Sequence, residues 1–190
     1  MPLPEEGSNF SFADYLTWPE DERWEIFDGV PYMQSAPTSD HQAIISNLNT
    51  AFGTYLKGTI CKLYPGPFCV RFAEGINTKN DEIRNVAEPD ISVVCDKAKI
   101  DKQGCNGSPD LIVEVLSPST SKLDRFIKLN LYEKNGVREY WIVEPKDRII
   151  TVYILESTHK YGFRVYDDES GIPVSIFDKL TISAKEVFDY

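Results

Sequence analysis

The chain has 190 residues, of which 30 are acidic and 20 basic, and its net charge of -10 disfavours unspecific adhesion to nucleic acid or anionic membranes. No apolar run reaches the roughly 18 residues that a membrane span needs. With 42% hydrophobic residues and no internal repeat, we expect one domain over residues 1–190, of which 1–9 are mobile. The four cysteines form no CxxC pair and no leader segment is visible, so we expect reduced thiols in a cytoplasmic protein.

The first third of the chain predicts two helices and a hairpin. Residues 10–22 indicate a short helix that Ser11 caps. Residues 23–34 indicate two strands that meet at Asp28–Gly29, a pair typical of tight hairpin turns. From Asp40 to Gly58, apolar residues recur at helical spacing, which predicts an amphipathic helix that ends at the glycine.

The middle of the chain predicts three strands and a helix. The strands are dense in β-branched residues and bounded by turn residues. The helix begins at Ser119 or Thr120 and ends at Asn135–Gly136, where the glycine can adopt the left-handed conformation. The three strands cover residues 66–73, 88–96 and 109–117.

The last third of the chain predicts a buried strand followed by a meander. A helix that joins two buried strands, Leu111–Leu116 and Glu139–Val143, indicates a right-handed crossover inside a sheet. We therefore predict an α/β (α+β) fold in which helices flank a mixed β-sheet, with an N-terminal hairpin and a C-terminal β-meander. The strand and the three meander segments cover 138–145, 149–157, 163–168 and 174–177.

Two carboxylates interrupt predicted strands, namely Asp90 in "EPDISVV" and Glu114 in "LIVEVLS". A buried carboxylate needs a cation, a proton or several hydrogen bonds. If the two strands are neighbours, both side chains point to one side of the sheet and suit a hard divalent cation. The alternative for Asp90 is a turn cap after Pro89. The alternative for Glu114 is a buried ion pair with Arg125 or Lys128.

The helix that follows carries a charged stripe, because Asp124, Lys128 and Tyr132 recur at every fourth position. Lys128 can lean from this stripe toward the carboxylates, where an ammonium orients water and stabilises charge on a phosphate. The alternative is an ordinary Asp–Lys pair on the surface. The neighbouring stripe is apolar and consists of Leu123, Ile127 and Leu131.

These motifs occur in a fixed order: "EPD" at 88–90, "EVLSPST" at 114–120, the charged stripe, and "EYWIVEP" at 139–145. Together with "RWEIFDG" and "DHQAIISNL", the series resembles the Uma2 family of the PD-(D/E)xK restriction-endonuclease-like superfamily. The similarity extends over roughly residues 23 to 155. In the superfamily pattern the last motif position is lysine, but Leu116 stands there, and Lys128 is the natural substitute.

The resemblance implies a restriction-endonuclease-like core and an endonuclease that hydrolyses phosphodiester bonds of DNA with Mg²⁺ or Mn²⁺. Its catalytic residues would be Asp90, Glu114 and Lys128. Asp90 and Glu114 would also be metal ligands, joined by the carbonyl of Val115 and by Glu25 of "RWEIFDG". The alternative for Glu25 is a cross-strand pair with an arginine.

Two hypotheses about function follow. The intact carboxylates and lysine favour a nuclease whose partner is DNA, whereas the net charge favours a non-catalytic interaction module that retains the fold. We expect no membrane partner, and a homodimer is the candidate assembly. His41 and Gln42 open a helix beside the expected site, where they either contact a phosphate or form a solvated helix start. The basic face that a polyanion needs would include Lys122, Arg125, Lys128 and Lys134.

Overall fold

The computed structural model of the chain describes residues 9–73, 75, 77–117 and 121–190, and its first elements follow the local sequence signals. Helix α1, Phe12–Tyr15, begins at Ser11, whose hydroxyl and amide both contact Asp14. Strands β1, Trp24–Phe27, and β2, Val30–Met33, pair around a tight turn. Asp28 and Gly29 have φ values of 48° and 78° there, as this hairpin type requires.

Helix α2, Ser39–Leu56, has the apolar stripe that the sequence predicts. The hydroxyl of Thr38 accepts a hydrogen bond from the amide of His41 and caps the helix. After the last turn, Gly58 has a φ of 84° and redirects the chain. The residues that α2 buries are Ile44, Leu48, Phe52 and Leu56.

The remaining elements are mostly short strands. A π-helical turn over Leu123–Lys128, called the π turn below, leads into helix α3, Leu129–Lys134, and helix α4 spans Ala184–Val187. The strands are β3 (Lys62–Pro65), β4 (Val70–Arg71), β5 (Val86–Ala87), β6 (Ile91–Val94), β7 (Ile100–Asp101), β8 (Gly104–Asn106), β9 (Leu111–Val115), β10 (Glu139–Glu144), β11 (Ile149–Leu155), β12 (Tyr161–Tyr166), β13 (Gly171–Pro173) and β14 (Thr181–Ser183).

The central sheet has the strand order β12-β11-β10-β9-β6-β3. Strands β9 and β10 are parallel and their neighbours are antiparallel, so the sheet is mixed and both crossover strands lie in its interior, as predicted. A second six-stranded sheet has the order β2-β1-β5-β4-β8-β7, and β13 pairs with β14 in a ribbon. The α+β architecture predicted from the sequence is therefore confirmed, although the strands form two large sheets instead of one.

The central sheet separates two apolar cores. Helices α2 and α4 cover one face and pack on alternate residues of β6, β9 and β10. The second sheet and α3 cover the other face, where Phe27 and Val70 meet Ile112 and Tyr140. Because side chains alternate along a strand, each central strand contributes to both cores.

Two predictions are wrong within the described residues. Residues 174–177 form a turn rather than a strand, because the amide of Phe177 donates to the carbonyl of Val174. Cys61 and Cys95 form a disulfide instead of staying reduced. Lys62 pairs with Val94 across β3 and β6, so the two cysteines just beyond that pair lie opposite each other. Cys69 and Cys105 are free thiols.

Some predictions fall on other parts of the chain. Residues 1–8 of the expected lead-in, and the expected helix caps at Ser119 and Thr120, lie outside the described residues. In the described ranges, no helix combines the length and the apolar character needed to cross a bilayer.

Strand β12 is one edge of the central sheet, and a carboxylate occupies part of that edge. Glu133 of α3 accepts a hydrogen bond from the amide of Tyr161 at 2.8 Å through Oε2. Its other oxygen lies 2.7 Å from the ammonium of Lys160. The first amide of this edge strand is therefore paired with a side chain.

Candidate active site

The pairing of β6 with β9 brings Asp90 and Glu114 together. Ile91 is opposite Val113, so Asp90, one residue before β6, is opposite Glu114 in the same antiparallel register. Ile91 and Val113 point into the α2 core, and the two carboxylates therefore point to the other face. The amide of Val115 donates to Oδ2 of Asp90 at 2.8 Å, which fixes that carboxylate at the end of the strand.

Lys128 is the cation that compensates Glu114. Its side chain is only 2% exposed, and Nζ lies 2.9 Å from Oε1 of Glu114. The same ammonium lies 3.0 Å from Oε1 of Glu25 and 3.2 Å from Oδ1 of Asp124. The hydroxyl of Tyr132 donates to Oε1 of Glu114 at 2.9 Å. Three carboxylates thus surround one buried ammonium, and Glu114 has two donors on a single oxygen.

Burial and neighbouring charges together raise the pKa values of Glu114 and Lys128. Burial is the main cause that raises the pKa of Glu114 well above its usual value, opposed by Lys128 and reinforced by Asp124, Asp90 and Glu25. Burial alone would lower the pKa of Lys128, but Glu114 and the other carboxylates outweigh it, so this pKa lies well above its usual value. Lys128 is therefore a permanent positive charge at neutral pH.

Glu25 reaches the site from the second sheet. It lies on β1, and its Oε1 accepts a hydrogen bond from the amide of Glu88 at 2.9 Å as well as contacting Lys128. Glu88 in turn pairs with Arg23 at 3.0 Å. The partner of Glu25 is thus a lysine, whereas a metal ion and an arginine were the two partners predicted from the sequence. The site lies where the two sheets and the π turn meet.

The π turn buries two charged side chains and exposes an aromatic one. Side chains donate to two of its carbonyl groups: the hydroxyl of Tyr140 donates to the carbonyl of Asp124, and the side chain of Asn130 donates to that of Phe126. Asp124 and Lys128 face inward and are buried, whereas Phe126 is 62% exposed. The predicted charged stripe is thus the buried one, rather than a surface pair.

His41 lies beside the site, as the sequence predicts, but its contact with Asp90 was not predicted. It lies in the first turn of α2, and its Nε2 is 3.1 Å from Oδ2 of Asp90. Its Nδ1 is buried and has no hydrogen-bond partner among the described residues. Gln42, the next residue, lines a separate depression on the surface. The long-range packing of α2 against the end of β6 creates the contact between residues 41 and 90, so no local pattern announces it.

A small cavity of about 40 Å³ lies among these groups. It has room for about two or three water molecules. Oδ1 of Asp124 is buried beside it and, despite its 3.2 Å distance from Lys128, accepts no well-aligned hydrogen bond from the described residues. The polar and charged residues that line the cavity include Arg23, His41, Asp90, Glu114, Asp124 and Lys128.

The donor set fits a magnesium ion that keeps much of its water. No group of three His, Cys, Asp or Glu side chains is arranged for a metal within the ranges that the structure describes. Mg²⁺ usually binds through one or two carboxylates together with waters and phosphate oxygens, so it does not require such a cage. Asp90 and Glu114 can supply these carboxylates, and the unsatisfied oxygen of Asp124 adds negative charge at the cavity.

Comparison with known proteins shows the family to which the chain belongs. Residues 12–185 match the family Uma2, described as "Putative restriction endonuclease". An uncharacterized protein of Synechocystis, slr1290, is 33% identical over 143 residues, which cover 74% of this chain and 71% of the relative.

A solved structure shares the fold. The crystal structure of a protein from Anabaena variabilis, described as "a putative nuclease belonging to DUF820", superposes with a TM-score of 0.76. The match covers 94% of this chain and 97% of the other at 22% identity, and it confirms the fold.

Proposed function

The chain belongs to the Uma2 family, and we propose on this basis that it is a metal-dependent endonuclease that hydrolyses phosphodiester bonds of DNA. One observation carries the proposal: Asp90 and Glu114 lie opposite each other on adjacent strands at a cavity, with the buried ammonium of Lys128 beside them. Two acceptors and a fixed cation are the groups that phosphodiester hydrolysis with a divalent ion requires.

Asp90 and Glu114 would hold Mg²⁺ or Mn²⁺, and the carbonyl of Val115, which lines the cavity, is the candidate for a third ligand. When bound, such an ion supplies Lewis-acid activation of water and of the phosphate. We assign Glu25 a different part, because Glu114 lines the cavity whereas Glu25 does not, and its Oε1 is shared between Lys128 and the amide of Glu88. Glu25 would position the lysine.

Lys128 would stabilise negative charge on the phosphate. Its high pKa keeps the ammonium protonated, and its contacts with Glu114, Glu25 and Asp124 fix it in position. A preorganised charge in a water-poor site stabilises a transition state better than a mobile one. His41 would act on Asp90, because its Nε2 contacts Oδ2, the same carboxylate oxygen that the amide of Val115 holds.

The test is a cleavage assay on plasmid, linear and single-stranded DNA with Mg²⁺, with Mn²⁺ and with a chelator. Asp90→Asn should reduce cleavage by at least about 10²-fold, since an amide cannot supply the carboxylate's charge. Asp110→Asn is a matched control. Asp110 stands one residue before β9, and its Oδ2 accepts a hydrogen bond from the amide of Cys95 at 2.8 Å, at the opposite end of the same strand pair. The control should keep parental activity.

The second candidate is a non-catalytic interaction module with the same fold. The net charge of -10 favours it, because a polyanion must find a local basic face on an acidic protein. If the parent protein cleaves no nucleic acid with either ion, the nuclease proposal is overturned and the module takes its place. Location in the cytoplasm and assembly as a homodimer stay predictions.

A further inference from the structure

Asp124 is a buried carboxylate beside the cavity. Its side chain is 2% exposed, and Oδ1 lies 3.2 Å from the ammonium of Lys128 but accepts no well-aligned hydrogen bond within the described ranges. The other two carboxylates around this ammonium have a second donor, which is a hydroxyl for Glu114 and a backbone amide for Glu25. Of the three, Asp124 is therefore the one with a buried oxygen that lacks a donor in the part of the chain that the structure describes.

Water can supply the donor that this oxygen lacks. A buried carboxylate oxygen without a hydrogen bond destabilises the folded state, so the protein gains stability when a donor is placed there. Asp124 lines the cavity of about 40 Å³, and a water molecule fits into that volume. Asp90 and Glu114 line the same cavity. A water held by Asp124 therefore shares the cavity with the two carboxylates at which we place the reaction.

The contacts of the π turn fix Asp124 in position. The hydroxyl of Tyr140 donates to the backbone carbonyl of Asp124 at 3.1 Å and ties the turn to β10. The ammonium of Lys128 lies beside the carboxylate, but it cannot take a proton from water, because the pKa of Lys128 lies well above its usual value and the group is already protonated. A fixed carboxylate can orient a water molecule and then accept its proton.

His41 is the alternative holder of this water, since its Nδ1 is also buried and has no hydrogen-bond partner among the described residues. Two points favour Asp124. An ionised carboxylate oxygen can only accept hydrogen bonds, so Oδ1 specifies a partner that donates, whereas Nδ1 of a neutral imidazole can donate or accept. The imidazole is also engaged already, because its Nε2 contacts Asp90.

We infer that Asp124 is a further catalytic residue, which holds the attacking water through Oδ1 and takes a proton from it. The inference rests on the proposed function, since it assumes that the cavity receives the scissile phosphate. The water oxygen forms the new bond to phosphorus, one of its protons passes to Asp124, and the bond from phosphorus to the leaving sugar oxygen breaks. That oxygen takes a proton from solvent, and Asp124 later returns its own proton to solvent.

The main experiment separates the proton transfer from the binding of metal and DNA. Asp124→Asn keeps the size of the side chain but cannot take the proton, so kcat should fall roughly 10²- to 10⁴-fold, the range for general acid–base catalysis. KM for DNA should stay near the parental value. Isothermal titration with Mn²⁺ alone should show that Asp124→Asn still binds the ion and that Asp90→Asn does not. Asp110→Asn makes the same chemical change elsewhere and should keep the parental kcat.

Chemical rescue tests for the lost base directly. Asp124→Ala leaves space beside the cavity for a small carboxylate, so formate should restore part of the cleavage in Asp124→Ala. It should restore none in Asp124→Asn, because the amide fills that space. A role of Asp124 in folding alone predicts that formate changes neither variant. Parental kcat in Asp124→Asn, together with imidazole rescue of His41→Ala, would assign the base to His41 and overturn the inference.

A crystal structure of the parent protein checks the water without any cleavage. It should show a water oxygen within about 3.2 Å of Oδ1 of Asp124. A dry cavity at Oδ1, or loss of Mn²⁺ binding in Asp124→Asn, overturns the inference, while cleavage by the parent protein would still support the proposed function. A parent protein that cleaves no DNA with either ion defeats the proposed function itself and, with it, the catalytic role of Asp124.

Discussion

Helix α2 and the helix formed by the π turn and α3 pack on opposite faces of the same sheet, but only the second buries charged side chains. Helix α2 buries an apolar stripe, including Leu48 and Phe52, in the usual way. The other helix buries Asp124 and Lys128 and exposes Phe126. Helical periodicity therefore predicts a helix without deciding which stripe of side chains faces inward. That choice depends on what the opposing strands present, and here they present carboxylates.

The largest expected effect is that of Lys128→Met. The substitution leaves three buried carboxylates without their common cation, so we expect a loss of about 3–5 kcal/mol in the free energy of unfolding, measured by urea denaturation. Adding Glu25→Gln and Asp124→Asn should recover a large part of that loss, because the stranded charges are removed. If Lys128→Met unfolds at the same urea concentration as the parent, the charged stripe does not stabilise the fold.

Leu48→Ala tests the apolar stripe of α2. It removes a fully buried side chain, and we expect a loss of about 2–5 kcal/mol from lost burial and the remaining cavity. No neutralising substitution should recover this loss, whereas the volume-conserving Leu48→Met should cost less than about 1.5 kcal/mol. Urea denaturation of Leu48→Ala with and without Glu25→Gln and Asp124→Asn checks the contrast, because only the Lys128 effect is electrostatic. Recovery of stability in Leu48→Ala by these two substitutions would contradict it.

Divalent ions should stabilise the folded protein by binding on the charged side of the central sheet, not on the side that α2 covers. At 100 times the dissociation constant, Mg²⁺ or Mn²⁺ should add about 2.7 kcal/mol to the free energy of unfolding of the parent protein. Differential scanning calorimetry should detect a higher Tm that Asp90→Asn abolishes and Leu48→Ala retains. An equal gain in Tm for Asp90→Asn would show that the ion binds elsewhere.

The smallest expected effect is that of Tyr132→Phe. The hydroxyl donates at 2.9 Å to Oε1 of Glu114, which also contacts Lys128. Without the hydroxyl, Lys128 is the donor that remains for this oxygen. We expect a loss of about 1.5 kcal/mol, the lower value for a hydrogen bond to a charged group, with ring packing preserved. In the Lys128→Met background the loss should grow, because the hydroxyl is then the remaining donor of the two. An additive result in the double variant would argue against this coupling.

Local chemistry made much of the fold predictable. The turn at Asp28–Gly29, the end of α2 before Gly58 and the parallel placement of β9 and β10 follow from residues close in sequence. The opposition of Asp90 and Glu114 also follows once their strands are neighbours, because side chains alternate.

The features that the sequence hid depend on distant segments. Glu25 reaches Lys128 from another sheet, and His41 reaches Asp90 across the end of a helix. The disulfide of Cys61 and Cys95 depends on the register between β3 and β6, which the spacing of cysteines does not reveal. The contact of the Tyr140 hydroxyl with the carbonyl of Asp124 in the π turn was hidden for the same reason, because the two residues lie on different elements.

The carboxylate of Glu133 on the edge of β12 should reduce aggregation at high protein concentration. A free edge strand templates intermolecular β-pairing and aggregation, and β12 carries the exposed apolar residues Phe163 and Val165. Because Glu133 occupies the amide of Tyr161 and Lys160 adds a charge beside it, an incoming strand would have to displace an existing ion pair before it could dock. The contacts of Glu133 with Tyr161 and Lys160 thus oppose β-pairing between the β12 strands of different molecules.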